Sequence, residues 1–93
     1  MLPEKQKNAY SEFYKAAHEN EFLPRKTTLM IHLASAMALG CKPWMKHYFG
    51  VAKKEGISDD ELGAVQSIVM AVAAGEVRAQ FREARVESKK SQE

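Results

Sequence analysis

The chain has a single cysteine, Cys41, among its 93 residues. One cysteine cannot form a disulfide within the chain, so a disulfide framework is excluded and a reducing compartment such as the cytoplasm is expected. Cys41 lies between Gly40 and Lys42, followed by Pro43 and Trp44, at the point where two apolar segments meet. The function therefore depends on what one thiol can do without a partner in the same chain.

An excess of one charge and a long hydrophobic run are also lacking. The net charge is only +2, and the basic residues are mixed with acidic ones, with no basic stripe among aromatic residues. This distribution argues against a nucleic-acid partner. The longest strongly apolar stretch, residues 29–40, contains His32 and is too short to cross a bilayer, and the first residues have no apolar signal core. We expect a cytoplasmic protein without a membrane partner.

Strand patterns are lacking as well, because β-branched residues are few and do not alternate with polar ones. Apolar residues at three- and four-residue spacing instead predict one all-α domain over residues 1–93. Gly56 and Gly75 are predicted to end helices, and Ser58 with Glu61 has the signature of a capping box. The predicted helices cover residues 3–19, 24–40, 42–56, 58–75 and 76–87, followed by a fraying polar tail over residues 87–93.

Two of these helices are apolar nearly all round. They contain residues 29–40 and residues 62–74, where Gln66 and Ser67 are the only polar side chains. A helix that is apolar all round must be covered on all sides. One amphipathic helix at each end of a small chain gives too little cover. We therefore expect a homo-oligomer with an all-helical interface.

Three stretches of the chain share a pattern with a known family. They are Leu23-Pro24-Arg25-Lys26-Thr27, Leu39-Gly40-Cys41-Lys42-Pro43-Trp44 and the segment from Ala52 through Gly56-Ile57-Ser58 to Glu61-Leu62. The pattern resembles the carboxymuconolactone decarboxylase / alkylhydroperoxidase D (AhpD-like) family over about residues 23–75. The resemblance implies an all-helical bundle built round an antiparallel helix hairpin and assembly into trimers or hexamers. It also implies peroxiredoxin-type chemistry, an antioxidant oxidoreductase activity.

Catalytic members of that family carry a relay of four residues: a glutamate, a Cys-x-x-Cys pair, and a histidine four residues after the second cysteine. Cys41 matches the first cysteine. The glutamate, second cysteine and histidine positions hold Leu29, Trp44 and Tyr48. The decarboxylase branch keeps the acidic and histidine positions. Because neither survives here, decarboxylation of a muconolactone is not expected.

Cys41 is the candidate reacting thiol. A thiol just before a helix N terminus faces unpaired N–H groups and the positive end of the helix dipole, and both favour the thiolate. Such a thiolate can be oxidised to a sulfenic acid and reset by an external thiol reductant. The alternative is that Cys41 is a small buried hydrophobic residue at a helix junction.

Tyr48, His32 and His47 are the candidate partners of the thiol. Counted from Cys41 at 1.5 Å per helical residue, Tyr48 lies about 10 Å down one arm of the hairpin and His32 about 13 Å down the other. A displaced relay of Cys41, Tyr48 and His32 is one interpretation, and a core or interface histidine at position 32 is the other. His47 is rotated by about 100° from Tyr48, toward solvent or a neighbouring subunit.

Trp44 either packs in the protein interior or lines a ligand pocket beside Cys41, with Met45 and Leu29 as further pocket residues. His18 is expected at the surface. The three histidines and one cysteine have no recurrent ligand spacing, so no metal or other cofactor is expected. Two hypotheses stay open. One is a single-cysteine thiol peroxidase or thiol-redox enzyme, and the other is a catalytically inactive, oligomeric binding or scaffold protein that retains the fold.

Overall fold

The structure, a computed structural model, describes residues 1–91 as four α-helices. They are α1 (Glu4–His18), α2 (Arg25–Ala38), α3 (Lys42–Lys54) and α4 (Asp59–Ser91). No strand occurs in these 91 residues, which confirms the all-α prediction.

The hydrophobic core lies where α2 and α3 form a hairpin and the first part of α4 packs against α2. Leu29 and Leu33 of α2 are fully buried at its centre. Their i, i+4 spacing places both on one helix face, so the apolar pattern of α2 directs that face inward. The core cluster comprises Leu29, Leu33, Tyr48, Ala52, Ile57, Leu62 and Val65.

Two glycines make the turns that close this unit. Gly40 has φ 69° and Gly56 has φ 77°, a left-handed conformation that side chains with a Cβ rarely adopt. After Gly56, the N–H of Ile57 donates to the carbonyl of Ala52 at 3.0 Å, which completes a Schellman-type helix end. Ile57 is itself buried. The turn therefore carries the chain from α3 into α4 while adding an apolar residue to the core.

The predicted capping box opens α4. The Glu61 N–H donates to Ser58 Oγ at 3.1 Å, and the Ser58 N–H donates to Glu61 Oε1 at 3.1 Å. The other carboxylate oxygen of Glu61 lies 2.8 Å from Lys26 Nζ. The Lys26 ammonium, followed by the hydrogen bonds from Ser58, lowers the pKa of Glu61 to about 2. These contacts link the start of α2 to the start of α4.

The last helix is longer than the sequence predicts. α4 runs for 33 residues without a break at Gly75, so the prediction of a helix end there is wrong. A glycine inside an exposed helix costs only about 1 kcal/mol relative to alanine, and the alanine-rich segment before it favours helix. The helix also continues through residues 87–91 of the predicted polar tail, and residues 92 and 93 lie outside the described part of the chain.

The molecule is elongated because α4, about 50 Å long, extends past the hairpin. The radius of gyration is 18.4 Å, whereas a compact domain of this length would have about 12 Å. By length and composition α4 could also cross a membrane, since one window has a mean hydropathy of 1.3 with 11% of it buried. One such helix is weak support for a span, because a helix that packs against protein can have the same composition.

Candidate functional site

The turn between α2 and α3 fixes Cys41. With Gly40 left-handed, the Gly40 N–H donates to the Met37 carbonyl at 3.1 Å and the Cys41 N–H donates to the Ala36 carbonyl at 2.8 Å. The Cys41 carbonyl then accepts from the Met45 N–H at 3.0 Å, so Cys41 caps the N terminus of α3. Its thiol is free and half-buried. The sequence prediction of a cysteine at the N terminus of the third helix is confirmed.

A small cavity of about 160 Å³ opens beside this thiol. Helices α1, α2 and α3 all contribute to its wall. The wall is mostly aromatic and contains no acidic side chain among the described residues. The lining residues are Tyr10, Tyr14, His32, Ser35, Ala36, Leu39, Cys41, Trp44 and Tyr48.

Tyr48 is the most enclosed polar side chain of this wall, with only 3% of its surface exposed. Its ring stacks on His32 with centroids 4.6 Å apart and planes within 8°. The hydroxyl is buried and has no hydrogen-bond partner within residues 1–91. Nearly all buried hydroxyls in proteins are paired, so this unpaired hydroxyl is unusual.

His32 also contacts α1. Its Nε2 lies 3.1 Å from His18 Nδ1, a hydrogen bond in which one neutral ring donates and the other accepts. Burial, with a smaller contribution from His18, lowers the pKa of His32 below its usual 6.5. His18 is half-buried. The expectation that His18 is a surface residue is therefore wrong, because the ring is drawn into this contact between the helices.

Trp44 completes the aromatic wall. Its ring stacks on Tyr14 at 5.3 Å and on Tyr48 at 5.7 Å, and 40% of its surface remains exposed. Burial, followed by the neighbouring Tyr10, raises the pKa of Tyr14, which keeps that hydroxyl protonated. The residue at the second-cysteine position of the family thus lines the cavity beside Cys41.

Three predicted site residues lie outside this cavity. Leu29 lies in the core and is 2% exposed, and Met45 is a partly buried residue that packs against the core. Both are packing residues, because they belong to or pack against the core cluster and do not line the cavity. His47 is exposed, and its ring meets Trp44 and Tyr48 edge-on at 5.7 and 5.0 Å. His47 therefore contacts two aromatic residues of the wall without lining the cavity itself.

The residues that the sequence reasoning missed are on α1. Tyr10, Tyr14 and His18 recur at intervals of four residues, which places the three rings along one helix face. None of the residues of α1 is fully buried, so this face of rings is its main contribution to the site. In the sequence, rings at four-residue spacing along the first helix could have indicated these site residues.

The site offers little to a metal ion. His18 and His32 bring two nitrogen atoms together, fewer than the three or four protein ligands of a typical zinc site. Within residues 1–91 no group of three or more His, Cys, Asp or Glu side chains could hold a metal. The chemistry available in the cavity is that of a thiol, a phenol and a neutral imidazole.

The structure is thus an all-α fold in which one cysteine lies at the turn of a helical hairpin, at the N terminus of the second arm. The sequence model of the carboxymuconolactone decarboxylase family matches residues 5–86, so the chain belongs to this family.

Among solved structures, the fold is similar to that of a protein from Methanobacterium thermoautotrophicum, a Northeast Structural Genomics Consortium target. The TM-score is 0.79 at 22% identity, over 87% of this chain and 92% of that chain. At this identity the likeness shows the fold alone. No curated protein matches the chain.

Proposed function

We propose that the protein reduces hydroperoxides through Cys41 and is reset by an external thiol. The observation that carries this proposal is the cavity, in which the Cys41 thiol shares one wall with a buried, unpartnered Tyr48 hydroxyl and with the neutral His32. Reduction of a peroxide by a thiol needs a nucleophilic sulfur and polar groups near the peroxide oxygen atoms. This cavity supplies both in a volume of about 160 Å³.

In the first step, the Cys41 thiolate attacks one oxygen of the peroxide, ROOH. The S–O bond forms as the O–O bond breaks, and the leaving oxygen takes a proton to give ROH. Cys41 is then a sulfenic acid, oxidised by the two electrons that the peroxide accepts. In this proposal Tyr48 donates a hydrogen bond to a peroxide oxygen, a role supported by its unpaired hydroxyl and by the stacking of its ring on His32.

The second step needs a thiol from outside the chain, because Cys41 is the only cysteine of the sequence. That thiol condenses with the sulfenic acid to release water and form a mixed disulfide. A second external thiol then attacks the sulfur of the first and displaces the Cys41 thiolate, so that the disulfide of the two external thiols leaves and Cys41 is again free. A dithiol reductant would supply both equivalents, which fits a cytoplasmic location, where such reductants are maintained.

Homo-oligomerisation is part of this proposal. The exposed apolar residues of α4 and the radius of gyration of 18.4 Å support it, because a single copy leaves much of α4 without protein contacts. The family resemblance favours a trimer or a hexamer.

The proposal is tested by peroxide consumption in the presence of a dithiol, with wild type and Cys41→Ser compared. We expect Cys41→Ser to abolish turnover, and the control Lys46→Gln, an exposed change on the same helix, to leave it unchanged. Turnover that survives in Cys41→Ser, or that is lacking in the wild type with every thiol and hydroperoxide offered, would contradict the proposal.

Tyr48→Phe tests the hydrogen-bond donor separately. The change removes only the hydroxyl and keeps the ring that stacks on His32. We expect the rate with peroxide to fall about tenfold, equivalent to ~1.4 kcal/mol at the transition state. The free energy of unfolding should stay unchanged or rise, because the hydroxyl lost is buried without a partner. An unchanged rate would remove Tyr48 from the mechanism.

The second candidate is a non-catalytic binding or scaffold protein. Trp44 favours it, since a large ring stacked between Tyr14 and Tyr48 stands where catalytic relatives would have the resolving cysteine. In that case the cavity binds a small aromatic or apolar molecule and Cys41 is unreactive. Titration of Trp44 fluorescence with small aromatic compounds, combined with the peroxide assay, distinguishes the two functions.

A further inference from the structure

Few contacts hold α1 to the α2–α3 hairpin. None of its residues is fully buried, and the core cluster comes from the chain that follows it. Within residues 1–91, a single hydrogen bond joins a side chain of α1 to the hairpin, between His18 Nδ1 and His32 Nε2 at 3.1 Å. Tyr14 adds ring contacts with Trp44 at 5.3 Å and with His32 at 5.7 Å. The position of α1 therefore depends on a small group of rings, among them His18 and His32, which we call the histidine pair.

The connection between α1 and α2 is anchored separately, at Asn20. Its amide nitrogen donates to the Ala17 carbonyl and to Thr28 Oγ1, both at 3.1 Å. Its amide oxygen accepts from the N–H groups of Phe22 and Leu23 at 3.1 and 2.8 Å. Because an amide side chain does not titrate, these bonds are unaffected by a proton bound elsewhere. The link to α2 can therefore persist when α1 leaves the hairpin.

Helix α1 also forms one side of the cavity at Cys41. Tyr10 and Tyr14 line the cavity from α1, and all the other lining residues belong to α2, to α3 or to the turn between them. Tyr10 is itself 53% exposed, so solvent reaches the outer side of this wall. Without α1, Cys41 and Trp44 would face molecules larger than a cavity of about 160 Å³ can hold.

The histidine pair can hold one additional proton but not two. In the neutral pair, one ring donates its N–H to the bare nitrogen of the other. A first additional proton still leaves one of the two facing nitrogen atoms bare, so an N–H···N bond remains. A second one puts N–H groups on both facing atoms and positive charges on rings whose centroids are 5.1 Å apart. The doubly protonated pair has no acceptor between its rings, and the contact opens.

The surroundings of the histidine pair do not neutralise two positive charges. The other titratable rings in contact with it are Tyr14 on α1 and Tyr48 on α3, and neither is a carboxylate. Lys15 and Glu19, which flank the α1 member of the pair in the sequence, have opposite charges. Neither of the two ion pairs within residues 1–91 includes a histidine. Burial, followed by the neighbouring histidine, lowers the pKa of His32, so the second proton binds only below the usual 6.5.

We propose that α1 is a pH-controlled cover of the Cys41 cavity, which the histidine pair holds closed and which double protonation of the pair releases. At neutral pH, α1 completes the aromatic wall. In acid, α1 moves away on the link at Asn20, and Cys41 becomes open to larger thiols and disulfides. The released segment of 15 residues is short for an isolated helix, so it also loses helical structure. This proposal concerns access to the thiol and holds whether or not Cys41 reduces peroxides.

The reaction of Cys41 with 4,4′-dithiodipyridine, an aromatic disulfide, tests the opening. The rates at about pH 7 and about pH 5 are each divided by the rate of the same chain in urea at that pH, which corrects for the ionisation of the thiol. We expect this ratio to rise about tenfold from the higher to the lower pH, as for an opening that takes up one proton. The control His47→Gln keeps both rings of the histidine pair and should show the same rise. His18→Gln has no titrating ring at that position and should show none. A constant ratio in the wild type, or a rise of equal size in His18→Gln, would overturn the proposal.

Amide hydrogen exchange of the wild-type chain distinguishes the release of α1 from unfolding of the whole protein. Protection is compared at the same two pH values after correction for the intrinsic exchange rate, and no variant is needed. We expect α1 to lose protection in acid while α2 and α3 keep theirs, because the hairpin core does not include α1. Protection that persists in α1, or that is lost equally in all three helices, would contradict the proposal.

Discussion

The α2–α3 hairpin and the second half of α4 use similar side chains with opposite outcomes. In the hairpin, Leu29 and Leu33 are 2% and 1% exposed, whereas in α4 Val77 and Phe81 are 64% and 70% exposed. Both regions are helical and carry alanine together with larger apolar side chains. The difference is that other residues of the chain bury the apolar side chains of the hairpin, whereas those in the second half of α4 remain exposed.

This comparison separates two roles in the molecule. The hairpin holds Cys41 through contacts within the chain, and together with α1 it forms the wall of the aromatic cavity. The second half of α4 contributes no residue to the cavity lining and leaves its large apolar side chains exposed. Changes in the hairpin should therefore affect folding and thiol chemistry, whereas changes at the exposed apolar residues of α4 should affect the proposed association of copies.

The sharpest difference between the two regions is expected from truncations to alanine. Leu33→Ala should lower the free energy of unfolding by about 2–5 kcal/mol, because it leaves a cavity in the core. Val86→Ala, at an exposed valine of α4, should change it by no more than about 0.5 kcal/mol. Denaturant unfolding at a fixed protein concentration measures both. Similar losses for the two variants would show that α4 is as deeply packed as the hairpin.

The turn that positions Cys41 should be the next most sensitive point. Gly40→Ala forces a Cβ into the left-handed region at φ 69° and should cost about 1–2 kcal/mol. It should also change the alkylation rate of Cys41, because the Cys41 N–H is held by the same turn. Unfolding curves and iodoacetamide kinetics would be compared with those of wild type. An unchanged alkylation rate would show that the conformation of this turn does not control the reactivity of the Cys41 thiol.

Gly75→Ala should have the opposite sign. Gly75 lies inside α4, and a Cβ there would meet no atom within 4 Å. Replacing a glycine in an exposed helix interior should raise the free energy of unfolding by about 0.5–1 kcal/mol. Thermal unfolding beside Gly40→Ala makes a paired test of the two glycines. If Gly75→Ala destabilises the protein, then α4 is interrupted in solution where the structure is continuous.

The smallest effect concerns pH. Because the pKa of His32 is lowered from 6.5, the folded chain binds fewer protons than the unfolded chain just below that pH. This contribution to stability is therefore present above pH 6.5 and is lost as the pH falls below it. His18, Tyr14 and Tyr48 are the titratable residues whose rings contact His32, and none of them is a carboxylate.

Replacing the ring should remove that pH dependence. His32→Gln should flatten the plot of unfolding free energy against pH between 7 and 5, whereas His47→Gln, outside the histidine pair, should leave its slope as in wild type. Urea unfolding at several pH values measures both slopes. Parallel curves for His32→Gln and wild type would show that the histidine contact carries no proton linkage.

Local patterns in the sequence predicted the parts of the fold that depend on neighbouring residues. The Ser58–Glu61 capping box, the glycine at position 56 and the placement of Cys41 at a helix start were all confirmed, because each depends on a few adjacent residues. Gly75 was misread, since a glycine between alanines and good helix formers can continue a helix as readily as end one.

The candidate site was only partly predictable. The rise along a helix placed His32 and Tyr48 at similar depths, and the structure stacks them 4.6 Å apart. The contacts of Tyr14 and His18 depend on how α1 packs on the hairpin, a long-range arrangement that helical periodicity does not specify. Leu29 was assigned to the pocket by analogy with a family position. As a large apolar residue it is instead buried in the core.

The most direct test of the account follows one oxidation of Cys41. The folded protein and the same chain in urea would each receive one equivalent of hydrogen peroxide, with dimedone present to trap a sulfenic acid. Intact mass and peptide mapping then give the rate of adduct formation. We predict that Cys41 is trapped faster in the folded protein than in urea, because in the folded chain Cys41 and Tyr48 line the same cavity. An equal or slower rate in the folded protein would contradict it and leave the fold as a scaffold.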